Sequence, residues 1–201
     1  LHVRSRRQRQ MCIRDSFNPV HLAHLVMADQ VQNQLGLDKV YLMPTYLPPH
    51  VDEKKTISSE HRLAMLELAV ADNPCLDIEP IELIRKGKSY TYDTMKALKE
   101  ANPDTDYYFI IGGDMVEYLP KWHRIDDLLH LVQFVGIRRP NYPTESTYPI
   151  IWVDVPQMAI SSTLIRQKVK SGCSIRYLLP ENVINYIQEK GLYQDELDNK
   201  L

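Results

Sequence analysis

His21 and His24 stand three residues apart in Asn18-Pro19-Val20-His21-Leu22-Ala23-His24, where Pro19 marks the approach to a helix. Residues at that spacing share one helix face, a turn apart. A helix N-terminus carries free N–H groups and partial positive charge, which attract phosphate. Two imidazoles placed there can stabilise charge growing on a phosphoryl group. Two ordinary surface histidines would show the same spacing, and zinc would need a third ligand that the neighbouring sequence lacks. A second segment, Ile160-Ser161-Ser162-Thr163-Leu164-Ile165-Arg166, sets hydroxyls ahead of an apolar helix, with a guanidinium near the end of its first turn. It reads either as a helix cap with a solvated arginine or as a polyphosphate cradle. A third, Ile111-Gly112-Gly113-Asp114, lets a ligand approach the backbone and offers a carboxylate to ribose hydroxyls; an unliganded turn has the same residues. Trp122, between Lys121 and His123, is either a stacking platform for a flat ring or an anchor for its loop. Together these segments describe a phosphate-handling site with no protein nucleophile.

The elements that must position them alternate. Helices are expected over about 21–35, closed by Gly36, and over 60–71, 92–101, 162–171 and 181–190, the last closed by Gly191. Strands are expected at 39–43, 76–79, 107–111, 132–137 and 150–153. Of these, Tyr107-Tyr108-Phe109-Ile110-Ile111 is the strongest, a continuous apolar run stopped by two glycines. Strands separated by helices of ten to fifteen residues predict one Rossmann-like α/β domain: a doubly wound parallel sheet with helices on both faces. Ligands of such sheets sit at the carboxyl ends of the strands, where the Gly-Gly-Asp turn falls.

The chain has 201 residues, 24 Lys+Arg against 26 Asp+Glu for a net charge of −2, 44% hydrophobic residues and 25% charged ones. That composition excludes general disorder, and no apolar run approaches the roughly 18 residues a membrane span needs. Cys12, Cys75 and Cys173 are widely spaced and form no metal pattern, which favours a reducing cytoplasm. The near-neutral total argues against binding nucleic acid through bulk charge. Residues 1–15 are the anomaly, with five arginines against Asp15 alone, a local net charge of +4 that leaves −6 for the remainder. The segment shows neither helical nor strand periodicity. It is read as a disordered or foreign leader, with a basic nucleic-acid arm as the alternative. Residues 16–193 then form the domain and 194–201 a tail.

On SFNPVHLAH from Ser16, PTYLPPH at 44–50, SYTYDT at 89–94, IGGDM at 111–115 with LPKWH at 119–123, and ISSTLIR at 160–166, the chain resembles the bacterial nicotinate-nucleotide adenylyltransferases of the HxGH nucleotidyltransferase superfamily. The resemblance runs from about Ser16 to Tyr193. It implies attack of nicotinate mononucleotide on the α-phosphate of ATP, giving deamido-NAD and pyrophosphate, with Mg²⁺ carried by the ATP. His21, His24 and Arg166 would be catalytic. Ser16, Phe17, Asp114, Ser161 and Ser162 would join them in binding ATP, and Tyr90, Thr91, Trp122 and His50 would bind nicotinate mononucleotide. Such in-line transfer needs positioning and charge stabilisation more than covalent help. Neither nucleic acid nor membrane is implied as a partner, and a homo-oligomer is admitted.

The resemblance also implies a buried strand and a Gly-Gly-Thr-Phe turn before the histidines, where this chain has Cys12-Ile13-Arg14-Asp15-Ser16-Phe17. Ser16 stands for the Thr, but Arg14 and Asp15 replace both glycines. A carboxylate there is expected to repel phosphate. The first strand is also expected to have lost its apolar run, leaving this chain impaired in ATP binding and stability. Ala23 replaces a commoner glycine, a change the helix favours. Pantetheine phosphate or nicotinamide mononucleotide as acceptor, and a copy that binds without turnover, are the competing readings.

Overall fold

Six parallel strands carry the fold in the computed structural model, which describes residues 7–47, 56–138 and 144–194. In chain order they are β1 (Gln8–Asp15), β2 (Lys39–Pro44), β3 (Leu76–Ile78), β4 (Thr105–Gly112), β5 (Val132–Ile137) and β6 (Ile150–Val153). Helices α1 (Leu22–Leu35), α2 (Ser59–Val70), α3 (Ile81–Arg85), α4 (Thr91–Ala101), α5 (Ile125–Leu128), α6 (Ser162–Lys170) and α7 (Glu181–Glu189) surround them, with a 3-10 helix at Gly113–Lys121. The sheet order is β3-β2-β1-β4-β5-β6, every pairing parallel.

Side-chain alternation along the strands splits the core into two layers. Met11, Ile13, Tyr108, Ile110, Val135 and Ile137 face one side, where α1, α2, α6 and α7 bury Ala28, Met65, Ile165 and Val183. Cys12, Tyr107, Phe109, Ile111 and Phe134 face the other, against Met95 and Leu98 of α4 and Leu128 of α5. This is the expected doubly wound sheet with both faces covered.

The expectation that residues 1–15 stand outside the fold is corrected for residues 8–15. They are β1, a central strand paired with β2 from Gln10 to Asp15 and with β4 from Gln8 to Cys12. Its apolar run is short but sufficient, because Met11, Cys12 and Ile13 are fully buried between the two helical layers. The arginines that disguised it are paired with distant groups. Arg9 donates to the Tyr108 hydroxyl (2.9 Å from Nη2) and to the Leu35 carbonyl (2.8 Å), so it also caps the C-terminus of α1. Arg14 ion-pairs with Glu82 at 2.7 Å. The short α3, the 3-10 helix and α5 were not expected: stretches of four or five residues carry too little periodicity, and the 3-10 stretch contains Pro120.

Candidate active site

The strand order reverses between β1 and β4, and a doubly wound sheet opens its ligand crevice at the carboxyl ends of that pair. A cleft of about 470 Å³ lies there. Asp15, Ser16, His21 and His24 line it from the β1–α1 side, Gly112 from the end of β4, Met115 from the 3-10 helix that follows, and Ser161, Ser162 and Arg166 from the start of α6. The three segments singled out by residue type thus converge, with 148 residues of chain separating Asn18 from Arg166.

The turn from β1 into α1 is clamped from below and from the side. Arg62, on the inward face of α2 and 2% exposed, donates Nη1 to the Ser16 carbonyl at 2.7 Å and to the Thr45 carbonyl at 2.8 Å. The Tyr193 hydroxyl donates to Asn18 Oδ1 at 2.9 Å, and Ser162 Oγ donates to the Pro19 carbonyl at 2.8 Å. Arg166 Nη1 reaches the Asn18 carbonyl at 2.6 Å, while Nη2 meets Thr163 Oγ1 at 3.2 Å. Those bonds leave further N–H donors on the Arg166 fork for a ligand. Phe17 takes the left-handed conformation, φ 46°, which carries its ring fully inside, edge-on to His24 at 4.9 Å. Its side chain therefore supports His24 rather than lining the cleft.

Both histidines are buried, and their rings stack 3.7 Å apart at 19°. The His21 backbone N–H donates to His24 Nδ1 at 3.2 Å, so Nδ1 is an acceptor and the proton of neutral His24 resides on Nε2. That Nε2–H points to Asp15 Oδ2, 3.1 Å away. Burial, reinforced by His24 and opposed by Asp15, pushes the His21 pKa down to about 3. His21 is therefore a neutral imidazole at physiological pH, offering hydrogen bonds rather than charge. Among the described residues its Nδ1 has no partner. Positive potential comes instead from Arg166 and from the N-termini of α1 and α6.

Ser161 caps α6 by accepting from the Leu164 N–H at 3.2 Å, so the capping reading holds within the cleft wall. Asp114 lies in the 3-10 helix after β4; its side chain is outside the described atoms, and His50 is outside the described residues. Tyr90 and Thr91 sit at the start of α4, with the Tyr90 ring 4.6 Å from that of His123. Trp122 is half-buried, edge-on to Phe109 and Phe134 at 6.0 Å each, the loop-anchoring arrangement. Neither Tyr90, Thr91 nor Trp122 lines the cleft. Arg14 links the two regions: it lines the cleft, pairs with Glu82, and donates to the Ser89 carbonyl at 2.9 Å, one residue before Tyr90. Residue-type reasoning missed Arg62. Its spacing with Met65, Leu66 and Ala69, all on the buried stripe of α2, was the available signal for an inward-facing charge.

A sequence profile of the cytidylyltransferase-like family matches residues 15–168. Fold and site thus define a nucleotidyltransferase of that family. The Enterococcus faecalis protein named "Probable nicotinate-nucleotide adenylyltransferase" is 99% identical over 186 residues, covering 92% of this chain and 85% of that one. A Streptococcus pneumoniae protein of the same name is 62% identical over 178 residues, 89% of this chain and 85% of the other. The chain belongs to the nicotinate-nucleotide adenylyltransferases. The fold is that of the Plasmodium falciparum nicotinic acid mononucleotide adenylyltransferase complexed with NaAD, with a TM-score of 0.78 at 19% identity over 94% of this chain and 99% of the other. No helix among the described residues is long and apolar enough to cross a membrane.

Proposed function

We propose that the cleft between β1, β4 and α6 receives ATP and that its residues carry the family's chemistry. The reaction is transfer of the adenylyl group of ATP to nicotinate mononucleotide, giving deamido-NAD and pyrophosphate in NAD biosynthesis. What supports this siting is the convergence of His21, His24, Ser161, Ser162 and Arg166 on one cavity at the sheet's switch point. His21 donates to the phosphoryl oxygen as a neutral imidazole and His24 braces it by stacking. Arg166 and the α6 N-terminus hold the polyphosphate with Ser161 and Ser162, Ser16 and Asp114 complete the ATP site, and Phe17 serves it from inside by supporting His24. Tyr90, Thr91, Trp122 and His50 serve the nicotinate mononucleotide, approached from the α4 side past Arg14.

Among the described residues no three His, Cys, Asp or Glu side chains gather to hold a metal. The accompanying divalent cation, Mg²⁺ in this reading, would arrive with the nucleotide and take its ligands chiefly from phosphate oxygens, whose charge it would neutralise. Cys12, Cys75 and Cys173 are free thiols, in keeping with a cytoplasmic setting. The test is pyrophosphate release from ATP and Mg²⁺ with nicotinate mononucleotide, nicotinamide mononucleotide or pantetheine phosphate at equal concentration. Release fastest with nicotinate mononucleotide supports the reading; preference for another acceptor, or binding without release, overturns it.

A further inference from the structure

We infer that Tyr193 is a positioning residue for the reaction: from outside the cleft, its hydroxyl sets the turn that presents His21. The inference rests on the reading that His21 acts on the phosphoryl group. Tyr193 lies 175 residues from Asn18, yet its hydroxyl donates to Asn18 Oδ1 at 2.9 Å. Both residues are buried. Gly191 closes α7 at φ 62°, and Leu192, buried in the core, donates its N–H to the Ile187 carbonyl at 3.0 Å. Tyr193 then takes φ 65°, a strained conformation for an aromatic residue, held by the packing of Leu192 and of its own ring. That ring joins the core cluster of Phe17 and Val20, the residues that flank Asn18-Pro19.

The turn is gripped by Arg62 at the Ser16 carbonyl, Tyr193 at the Asn18 side chain, Arg166 at the Asn18 carbonyl and Ser162 at the Pro19 carbonyl. Ser162 and Arg166 also line the cleft, so a bound polyphosphate competes for their donors. Arg62 and Tyr193 do not line it, and occupancy leaves their bonds alone. Of these two, Tyr193 grips the turn nearer the histidine. Between Asn18 and His21 stand only Pro19, whose ring fixes φ, and the fully buried Val20. A shift at Asn18 therefore passes to His21 with little room to be absorbed. Misplacing a reacting group by about 1 Å costs about 10²-fold in rate.

The experiment compares the full chain with Tyr193→Phe, Asn18→Ala and their double variant, and with Tyr186→Phe as control. Tyr186 carries the same hydroxyl on α7, but it meets His61 Nδ1 at 2.9 Å rather than the turn. Pyrophosphate release from ATP and nicotinate mononucleotide, thermal melts and the proton–nitrogen NMR signals of the His21 ring are read for each. We expect Y193F to lower kcat about tenfold, with KM for ATP within about twofold and the melting temperature within about 5 °C of the parent. The double variant should be no slower than N18A, because the hydroxyl acts through Asn18. The His21 signals should move in Y193F and stay in place in Y186F. Full kcat in Y193F, additive losses in the double variant, or an equal fall in Y186F overturns the proposal. If no chain releases pyrophosphate, the functional reading fails and the His21 signals decide alone. Movement in Y193F without movement in Y186F then upholds the positioning role, and any other pattern overturns it.

Discussion

Arg14 and Glu82 form a two-pronged ion pair, Nε to Oε1 at 2.7 Å and Nη2 to Oε2 at 2.9 Å, with the Glu82 side chain entirely out of solvent. Thr94 Oγ1 adds a third bond to the carboxylate at 3.0 Å, so strand β1 is tied through one glutamate to α3 and α4. Removing one member strands the other's charge in a desolvated site. Arg14→Met and Glu82→Leu should each cost about 3–5 kcal/mol by urea denaturation. The double variant should recover most of that loss, although the Thr94 hydroxyl still lacks its acceptor. Additive costs in the cycle would mean that the pair is not coupled.

Arg166 faces two ways, gripping the Asn18 carbonyl at 2.6 Å while lining the cleft. Arg166→Lys keeps the charge but loses the fork that spans Asn18 and Thr163. The expected result is a fall in kcat/KM of about 10²-fold for lysine and more for alanine, with kcat taking the larger share if the group acts on the developing charge. Loss of stability should stay within about 1.5–3 kcal/mol, the range of a charged hydrogen bond such as the one to the Asn18 carbonyl. Steady-state pyrophosphate release beside thermal melts separates the two effects. An R166A chain with normal kcat would remove the arginine from the reaction.

Sequence patterning revealed those elements whose own residues carry a periodic or unbroken apolar signal. Tyr107 to Ile111 announced β4 because a strand buried on both faces needs an unbroken apolar run, and the His21/His24 pair followed from one turn of helix. Strand β1 was illegible for the opposite reason. Arg9 and Arg14 read as solvated charge, because the groups that neutralise them lie 26 to 99 residues away, at Leu35, Glu82 and Tyr108. The same holds for Arg62 beneath the Ser16 carbonyl, 46 residues distant. Asp15 announces a carboxylate by residue type alone, but its grip on Ser16 and His24 depends on a turn that only the fold defines.

His21 links this buried geometry to pH. Its folded-state pKa is near 3 against an ordinary 6.5, with burial the leading cause. The sign follows from which state binds the proton. Between pH 6.5 and about 3 the unfolded chain takes up a proton at this residue that the folded chain refuses, so His21 contributes a loss of stability as the pH falls through that window. Above 6.5 neither state is protonated there and the contribution is flat. At pH 5 the loss should be about 2 kcal/mol relative to pH 7.5, from a limiting slope of about 1.4 kcal/mol per pH unit. His21→Asn has no imidazole to titrate, so the difference in urea unfolding free energy between pH 7.5 and pH 5 should shrink by about that amount, whatever its absolute stability. If parent and H21N lose stability in parallel over this range, His21 titrates normally in the folded chain, and the neutral imidazole assigned to the phosphate site is wrong.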